Sequence, residues 1–223
     1  MIQKHKMTPN NKQLAAYYAQ KAGVLEQVYE LPERQEELEQ LQEELDEVLS
    51  GHRVLELACG TGYWTQFYAY STEAVLATDI NPEMLELARA KELPADKVRW
   101  EVADAYTIDA EPGFTACFAG FLWSHIPRQD QEKFLQHVRK QVGKDGLLVL
   151  MDNTYVDDVS LPIARTDADG NTYQVRQLEN GERCELLKNY PTDSALRKKL
   201  ATAAREIRIQ RLDYYWMLTC RLK

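Results

Sequence analysis

Residues 54–65, Val-Leu-Glu-Leu-Ala-Cys-Gly-Thr-Gly-Tyr-Trp-Thr, narrow the choice of fold more than any other stretch of the chain. An apolar Val/Leu run reads as a buried strand. Two glycines one residue apart then let the backbone turn tightly and approach a ligand, with no Cβ in the way, before a helix begins. A strand, a glycine turn and a helix open a βαβ unit, whose ligands sit at the carboxyl ends of parallel strands. The residues that follow continue the alternation. AVLATDI (74–80), VRWEVAD (98–104), FTACFAGF (114–121) and GLLVLMDN (146–153) read as strands. NPEMLELARAK (81–91), with Asn81 as N-cap and Pro82 at the first helical position, and RQDQEKFLQHVRKQV (128–142) read as helices. The expected fold class is therefore α/β, a Rossmann-like parallel sheet covered by helices on both faces.

Two further regions flank this core. Residues 14–29 and 33–49 predict two amphipathic helices, the second carrying Leu38, Leu41, Leu45 and Val48 at spacings of three and four, with its glutamates as a solvated face. They form an N-terminal helical cap over residues 1–50, ahead of a main domain over 51–223. After the fifth strand, TYQVRQL (172–178), the turn pair Asn180-Gly181 and RCELL (183–187) predict a β-hairpin, part of an insertion spanning 154–190. A helix at 193–205 follows, and then two closing strands at 207–212 and 214–221, with Asp213 at the bend.

Charge and cysteine usage exclude several classes of function. The 27 Lys+Arg stand against 35 Asp+Glu, a formal charge of −8, with five basic and ten acidic side chains in the first fifty residues. A chain so balanced lacks the basic face that neutralising phosphates requires, so nucleic acid is not the expected partner. Cys59, Cys117, Cys184 and Cys220 form no C-x-x-C pair, and His5, His52, His125 and His137 share no H-x-x-x-H spacing. Neither a zinc site nor a redox motif is expected, and reduced thiols point to a cytoplasmic protein. No apolar run approaches the roughly 20 residues that cross a bilayer, and MIQKHKMTPNNK leads into no signal-like core, so membrane attachment is not expected either.

The chemistry around the glycine turn is that of a cationic nucleoside. A dinucleotide fingerprint wants a third glycine where this chain has Thr65, and Glu56, four residues before Gly60, would repel a pyrophosphate but attract a cation. The amino end of S-adenosylmethionine fits such a carboxylate. Asp79, 17 residues after Gly62, closes the second strand, where a carboxylate accepts hydrogen bonds from both ribose hydroxyls. Asp104 closes the third and, with the Ala105 backbone, is placed to read an adenine amino group.

With those residues in view, the chain resembles the class I S-adenosylmethionine-dependent methyltransferases. ELACGTGYWT is similar to their first motif, TDINPEML to the second and VADAY to the third, while FAGFLWSHIP, GLLVLMDN and YYWMLTCRL resemble the fourth motif, the strand after it and the last antiparallel strand. The resemblance implies a seven-stranded sheet with S-adenosylmethionine as cofactor over strands one to four. It also implies roles for residues in the first motif, where Gly60 and Gly62, flanked by Ala58 and Trp64, pass the methionine moiety and Glu56 steers its ammonium indirectly. Asp79 would bind the ribose, Ile80 and Ala105 flank adenine, Asp104 take its amino group, and Phe121 lie beneath the sulfonium. Tyr17 and Tyr18 are candidates to close the pocket from the N-terminal helix.

Methyl transfer is an in-line displacement, so the protein's task is to hold a nucleophile about 3 Å from the methyl carbon with its lone pair free. At the end of strand four the chain reads Trp123-Ser124-His125-Ile126-Pro127, without the Asn/Asp-Pro-Pro-Tyr type motif of enzymes that methylate bases or glutamine, so a small-molecule acceptor is expected. Residues 152–190, with YYAQKAG and LWSHIP, are similar to something narrower, the methyltransferase portion of the ovothiol-pathway 5-histidylcysteine sulfoxide synthases and their stand-alone relatives. That resemblance implies methylation of the imidazole π nitrogen of 5-thiohistidine, and a transient contact with an upstream sulfoxide synthase or lyase. For an amino-acid-like acceptor, Arg176 offers a bidentate fork to the carboxylate, and Asn153 and Tyr155 are placed to bind the imidazole. His125 and Tyr214 complete the candidate catalytic set, with Tyr173, Lys188 and Asn189 behind them. Two other readings stay open on the sequence: a methyltransferase for another small amine, phenol or thiol, and a non-catalytic S-adenosylmethionine-binding regulatory module whose acidic helix contacts a partner.

Overall fold

The computed structural model describes residues 9–178 and 180–223; His5 lies outside the described residues. Its strands are β1 (Arg53–Leu57), β2 (Ala74–Asp79), β3 (Val98–Val102), β4 (Ala116–Gly120), β5 (Leu147–Asn153), β6 (Arg165–Thr166), β7 (Thr172–Gln177), β8 (Arg183–Leu187), β9 (Ala204–Arg211) and β10 (Tyr215–Leu222). Its helices are α1 (Pro9–Lys21), α2 (Gln35–Leu49), α3 (Thr65–Tyr68), α4 (Pro82–Arg89), α5 (Gln131–Val142) and α6 (Asp193–Leu200). Seven strands form one sheet in the order β3-β2-β1-β4-β5-β10-β9. The first five run parallel, and β10 inserts antiparallel between β5 and β9. The chain leaves β1 toward β2 on one side and returns through β4 on the other, so a crevice opens between the carboxyl ends of β1 and β4.

Both faces of the sheet are covered, which is why its central strands are apolar without alternation. On one face Leu55, Leu57, Leu148 and Leu150 pack with Phe134, Leu135 and Val138 of α5 and Leu196 and Leu200 of α6. On the other, Val54, Val149 and Met151 pack with Leu38, Leu41, Leu45 and Leu49 of α2. The buried stripe of α2 thus ends on Leu49, with Val48 only half-buried, because side chains four apart stack on one face of a helix. The acidic face is not wholly solvated: Glu37 accepts hydrogen bonds from the backbone N–H groups of Asp213 (2.8 Å) and Tyr214 (3.0 Å), which caps the turn joining β9 to β10.

Several boundaries differ from the sequence expectation. The helix expected over 14–29 is α1 followed by a 3-10 stretch from Ala22 to Glu30; the change begins beside Gly23, a residue that weakens a helix interior. The helix expected to reach 205 stops at Leu200, and Ala204 is already paired with Leu222, so strand pairing takes residues that helical periodicity had claimed. Asn81 holds the N-cap position of α4 without a side-chain cap bond. The hairpin forms as expected between β7 and β8, and the two-residue strand β6, too short to leave a periodic signal, extends it to three strands. No helix among the described residues is long and apolar enough to cross a membrane.

Because α2 and the sheet share one apolar cluster, Leu45→Ala is expected to destabilise the whole molecule by about 3 kcal/mol. Denaturant unfolding followed by far-ultraviolet dichroism and by tryptophan fluorescence should shift together to a lower midpoint. A separate early transition for the helices alone would contradict the shared core.

Candidate active site

The crevice between β1 and β4 opens into a cavity of about 430 Å³, roofed by the N-terminal segment through Leu14, Tyr17, Tyr18, Leu25 and Tyr29. Its floor is the turn after β1. Ala58 (φ 56°), Gly60 (φ 57°) and Gly62 (φ 72°) all adopt left-handed backbone, which bends the chain sharply at the strand end. The two glycines serve different needs. A Cβ on Gly62 would stand 2.8 Å from Trp100 and 3.1 Å from the Ala88 Cβ, so glycine there permits close packing; a Cβ on Gly60 would meet only Leu25, at 3.7 Å, on the side open to a ligand.

Asp79 holds this turn from the neighbouring strand. Its Oδ2 accepts the Gly60 N–H at 2.9 Å and its Oδ1 the Asn81 N–H at 2.8 Å. Burial pushes its pKa up, and those backbone donors oppose the rise. Asp79 lines the cavity, and a carboxylate has about four acceptor sites, as it needs if it is to hold the backbone and also take ribose hydroxyls. Ile80, Asp104 and Ala105 line the same end. Asp104 accepts the Tyr106 N–H through Oδ1 at 2.9 Å, which orients the carboxylate.

Glu56 is buried beneath the turn, where Thr65 Oγ1 (2.7 Å) and Tyr68 Oη (2.6 Å) both donate to its Oε2. Thr65, the residue in place of a third glycine, is thereby a fixed partner of the acid. Burial lifts the Glu56 pKa to about 7, against those two hydrogen bonds, and no basic side chain bridges it among the described residues. An ammonium arriving here meets a carboxylate whose ionised form is otherwise supported, among the described residues, by neutral hydroxyl donors alone.

Aromatic rings enclose the middle of the cavity. Phe121, in left-handed backbone with φ 58°, lies about 6 Å from the rings of Tyr29, Trp64 and Tyr215. Tyr29 stacks on Tyr63 at 4.1 Å, and Trp64 Nε1 donates to Tyr29 Oη at 3.1 Å. Trp64 and Phe121 were legible from the first and fourth motifs. Tyr29 and Tyr215 were not, since one comes from a 3-10 stretch and the other from the last strand.

The far end is polar and positively charged. His125, Asn153, Arg176, Lys188 and Tyr18 converge there. Lys188 Nζ donates to Asp152 Oδ1 (2.8 Å) and Asn153 Oδ1 (3.1 Å), both groups of the ion pair being buried. Burial opposes the ionisation of Asp152, but the Lys188 ammonium beside it holds its pKa below the usual value. Arg176 donates to Gln174 Oε1 at 2.8 Å and has no carboxylate partner among the described residues. Among the described residues, the inserted sheet therefore brings the cavity one guanidinium without a carboxylate partner.

Not every sequence candidate lies here. Tyr155 packs edge-on against Tyr190 at 5.1 Å and does not line the cavity. Tyr214 lies outside it too, its ring under the Arg34 guanidinium, because alternation along β10 sends Tyr215 inward instead. Tyr173 donates to Asp167 beneath the Arg165 guanidinium, and Asn189 binds the Thr172 N–H and the Ile126 carbonyl, both away from the lining. Ser124 is buried behind the cavity, its N–H donated to Asp152 Oδ2.

Comparison with known proteins agrees with this geometry. Residues 54–146 match the family model of a methyltransferase domain. An uncharacterized methyltransferase of Bacillus licheniformis is 27% identical over 180 residues, which cover 78% of this chain and 80% of that protein. The DhpI–SAM–HEP complex superposes with a TM-score of 0.79 at 22% identity, over 97% of this chain and 100% of that one. The 1,6-didemethyltoxoflavin-N1-methyltransferase of Burkholderia thailandensis, bound to 1,6-didemethyltoxoflavin and S-adenosylhomocysteine, superposes with a TM-score of 0.64 at 15% identity, over 99% and 93% of the two chains. The fold is the Rossmann-like fold of the class I methyltransferases.

Two measurements test the cofactor end. Asp79→Ala is expected to weaken S-adenosylhomocysteine at least tenfold by calorimetric titration, and unchanged affinity would remove Asp79 from ribose binding. For Glu56, the folded pKa of about 7 lies above its ordinary 4.5, so the folded chain holds the extra proton and its stability falls as pH rises between those values. Glu56→Gln, melted without cofactor at pH 5 and pH 8, should gain stability relative to the parent as the pH rises, yet bind S-adenosylhomocysteine about tenfold more weakly at pH 8.

Proposed function

We propose, from the premise that this chain is an S-adenosylmethionine-dependent methyltransferase, that it methylates a small acceptor whose anionic group is held between Arg176 and Lys188. We further propose that this acceptor is 5-thiohistidine, methylated on the imidazole π nitrogen to give ovothiol. One observation carries the reading: among the described residues Arg176 has no carboxylate partner, and it lines the same cavity as Lys188, which is already paired with Asp152. A carboxylate entering there meets a planar guanidinium and an ammonium fixed in place.

The residues present fit the cofactor. Gly60, the Asp79 carboxylate and the buried carboxylate of Glu56 line one cavity and suit, in turn, the methionine chain, the ribose hydroxyls and the ammonium. S-adenosylmethionine supplies the electrophilic methyl carbon on a sulfonium. The protein's part is to position and to exclude water. The rings of Tyr29, Trp64, Phe121 and Tyr215 line the cavity's waist, where aromatic faces favour a cationic centre over a neutral product. Asn153 is held by Lys188 through its Oδ1, which turns its amide so that Nδ2–H is the group left to donate. A donor there can serve the acceptor's carboxylate or thiolate, leaving the lone pair of the attacking ring nitrogen free.

Several features support a small acceptor. The cavity is enclosed by α1 and the inserted sheet, and a fold neighbour is by name an N1-methyltransferase bound to a small heterocycle. In this reading an upstream sulfoxide synthase or lyase supplies the thiol.

The test is incubation with S-adenosylmethionine and 5-thiohistidine, with histidine as control, following S-adenosylhomocysteine and the methylated product by mass spectrometry. Methylation of the thiohistidine ring is expected, and cofactor binding without thiohistidine turnover would overturn the narrower assignment. In the same assay Arg176→Ala should raise the acceptor KM at least tenfold while leaving cofactor affinity within twofold. An unchanged KM would remove Arg176 from the site.

A further inference from the structure

The polarity of the hydrogen bonds at the acceptor end defines what the methylated substrate must bring. The Leu187 carbonyl can only accept, so His125 Nδ1, 2.6 Å away, carries the imidazole proton. The ring is buried and faces the Lys188 ammonium, which drives its pKa down to about 3 and keeps it neutral. Its Nε2 is therefore a bare lone pair, and Tyr18 Oη, 3.0 Å away, must donate to it. Burial raises the pKa of the phenol well above its ordinary value, so Tyr18 keeps that proton. With its only hydrogen committed to His125, the Tyr18 oxygen has nothing left but lone pairs. Among the described residues no N–H donates to them.

We propose that Tyr18 Oη is a dedicated hydrogen-bond acceptor at the substrate end of the cavity, oriented by His125, so that the substrate must present an N–H donor to it as well as an anion to Arg176. This rests on the methyl-acceptor site proposed above and sharpens it, selecting zwitterionic or N–H-bearing anions over simple carboxylates. His125 is then a positioning residue. It ties the N-terminal helix α1, the turn after β4 and the end of β8 into one polarity, running from the Leu187 carbonyl through the imidazole to the phenol. A neutral His125 whose only lone pair is taken by Tyr18 is not a proton acceptor for the reaction. The charge pattern agrees with the assignment: the lone pairs of Tyr18 attract an ammonium or N–H, while Arg176 in the same cavity attracts the carboxylate.

The test is equilibrium binding to the full chain saturated with S-adenosylhomocysteine, using histidine as a probe with N–H donors and 3-phenylpropionate as a carboxylate without them. The parent should bind histidine about tenfold or more tightly than 3-phenylpropionate. Tyr18→Phe should remove that preference, while the affinities for 3-phenylpropionate and for S-adenosylhomocysteine stay within twofold. His125→Asn, which keeps a donor for Leu187 but loses the acceptor for Tyr18, should behave like Tyr18→Phe. His125→Gln, whose longer amide reaches the Nε2 position, should restore most of the preference. The double variant Tyr18→Phe/His125→Asn should lose no more than either single one, since both act through one oxygen.

Tyr18→Phe that keeps the parent's preference for histidine would overturn the proposal. So would a parent that binds both probes equally. If histidine affinity falls in Arg176→Ala but not in Tyr18→Phe, the methyl-acceptor site stands and the role of Tyr18 fails. If neither substitution changes it, or the parent binds no histidine at millimolar concentration, both readings fail together.

Discussion

The Asp79 carboxylate is the constraint on which the rest of the site depends. Its two oxygens tie the turn after β1 and the start of α4 to the end of β2. Without a carboxylate at that point the left-handed run through Ala58, Gly60 and Gly62 would have an unpaired N–H directed inward. The same carboxylate also lines the cavity. One buried group therefore shapes the cradle and lines it, and burial there raises its pKa against the backbone donors that hold it. Glu56 works on the same principle one strand over. Thr65 and Tyr68 hold it from behind, and the side turned to the cavity waits for a positive charge.

The opposite end is organised by the buried pair Lys188–Asp152. Removing one partner of such a pair typically costs about 3–5 kcal/mol, because the other is left charged and unpaired. Asp152 also accepts the backbone N–H of Ser124 and of Asn153, so the pair fastens the last residues of the inserted sheet to the end of β5 and to the turn after β4. That fastening places Leu187, the residue before Lys188, against His125. The polarity of this end of the cavity thus follows from a structural ion pair, beside which Arg176 has no carboxylate partner among the described residues.

Much of the cofactor end was legible in the sequence, because it is local. A strand, a turn and a helix follow one another within twelve residues, and the acids that serve the ligand close successive parallel strands. Asp79, Asp104, Gly60, Gly62, Trp64 and Phe121 all line the cavity or its turn for that reason. Other readings failed where strand phase or long-range pairing decided the outcome. Tyr214 and Tyr215 are neighbours, and only the register of β10 on β5, with Tyr215 opposite Asn153, sends the second one inward. Most glutamates of α2 are the solvated surface expected, and among the described residues Glu37 alone of them caps a turn 176 residues away. Helical spacing around residue 204 gave way to the ladder with Leu222.

The sequence by itself determined the α/β class, the glycine turn, the acids at the strand ends and the hairpin, because each rests on short-range periodicity or on the backbone freedom of glycine. Only the tertiary structure decided that α2 completes the core, that Tyr29 and Tyr215 join Trp64 and Phe121 around the cavity, and that Lys188 finds a carboxylate partner while Arg176 finds none among the described residues. It also decided the direction of the bond between Tyr18 and His125, 107 residues apart. Those outcomes depend on which groups meet across the folded chain, and burial then sets their protonation and hydrogen-bond direction.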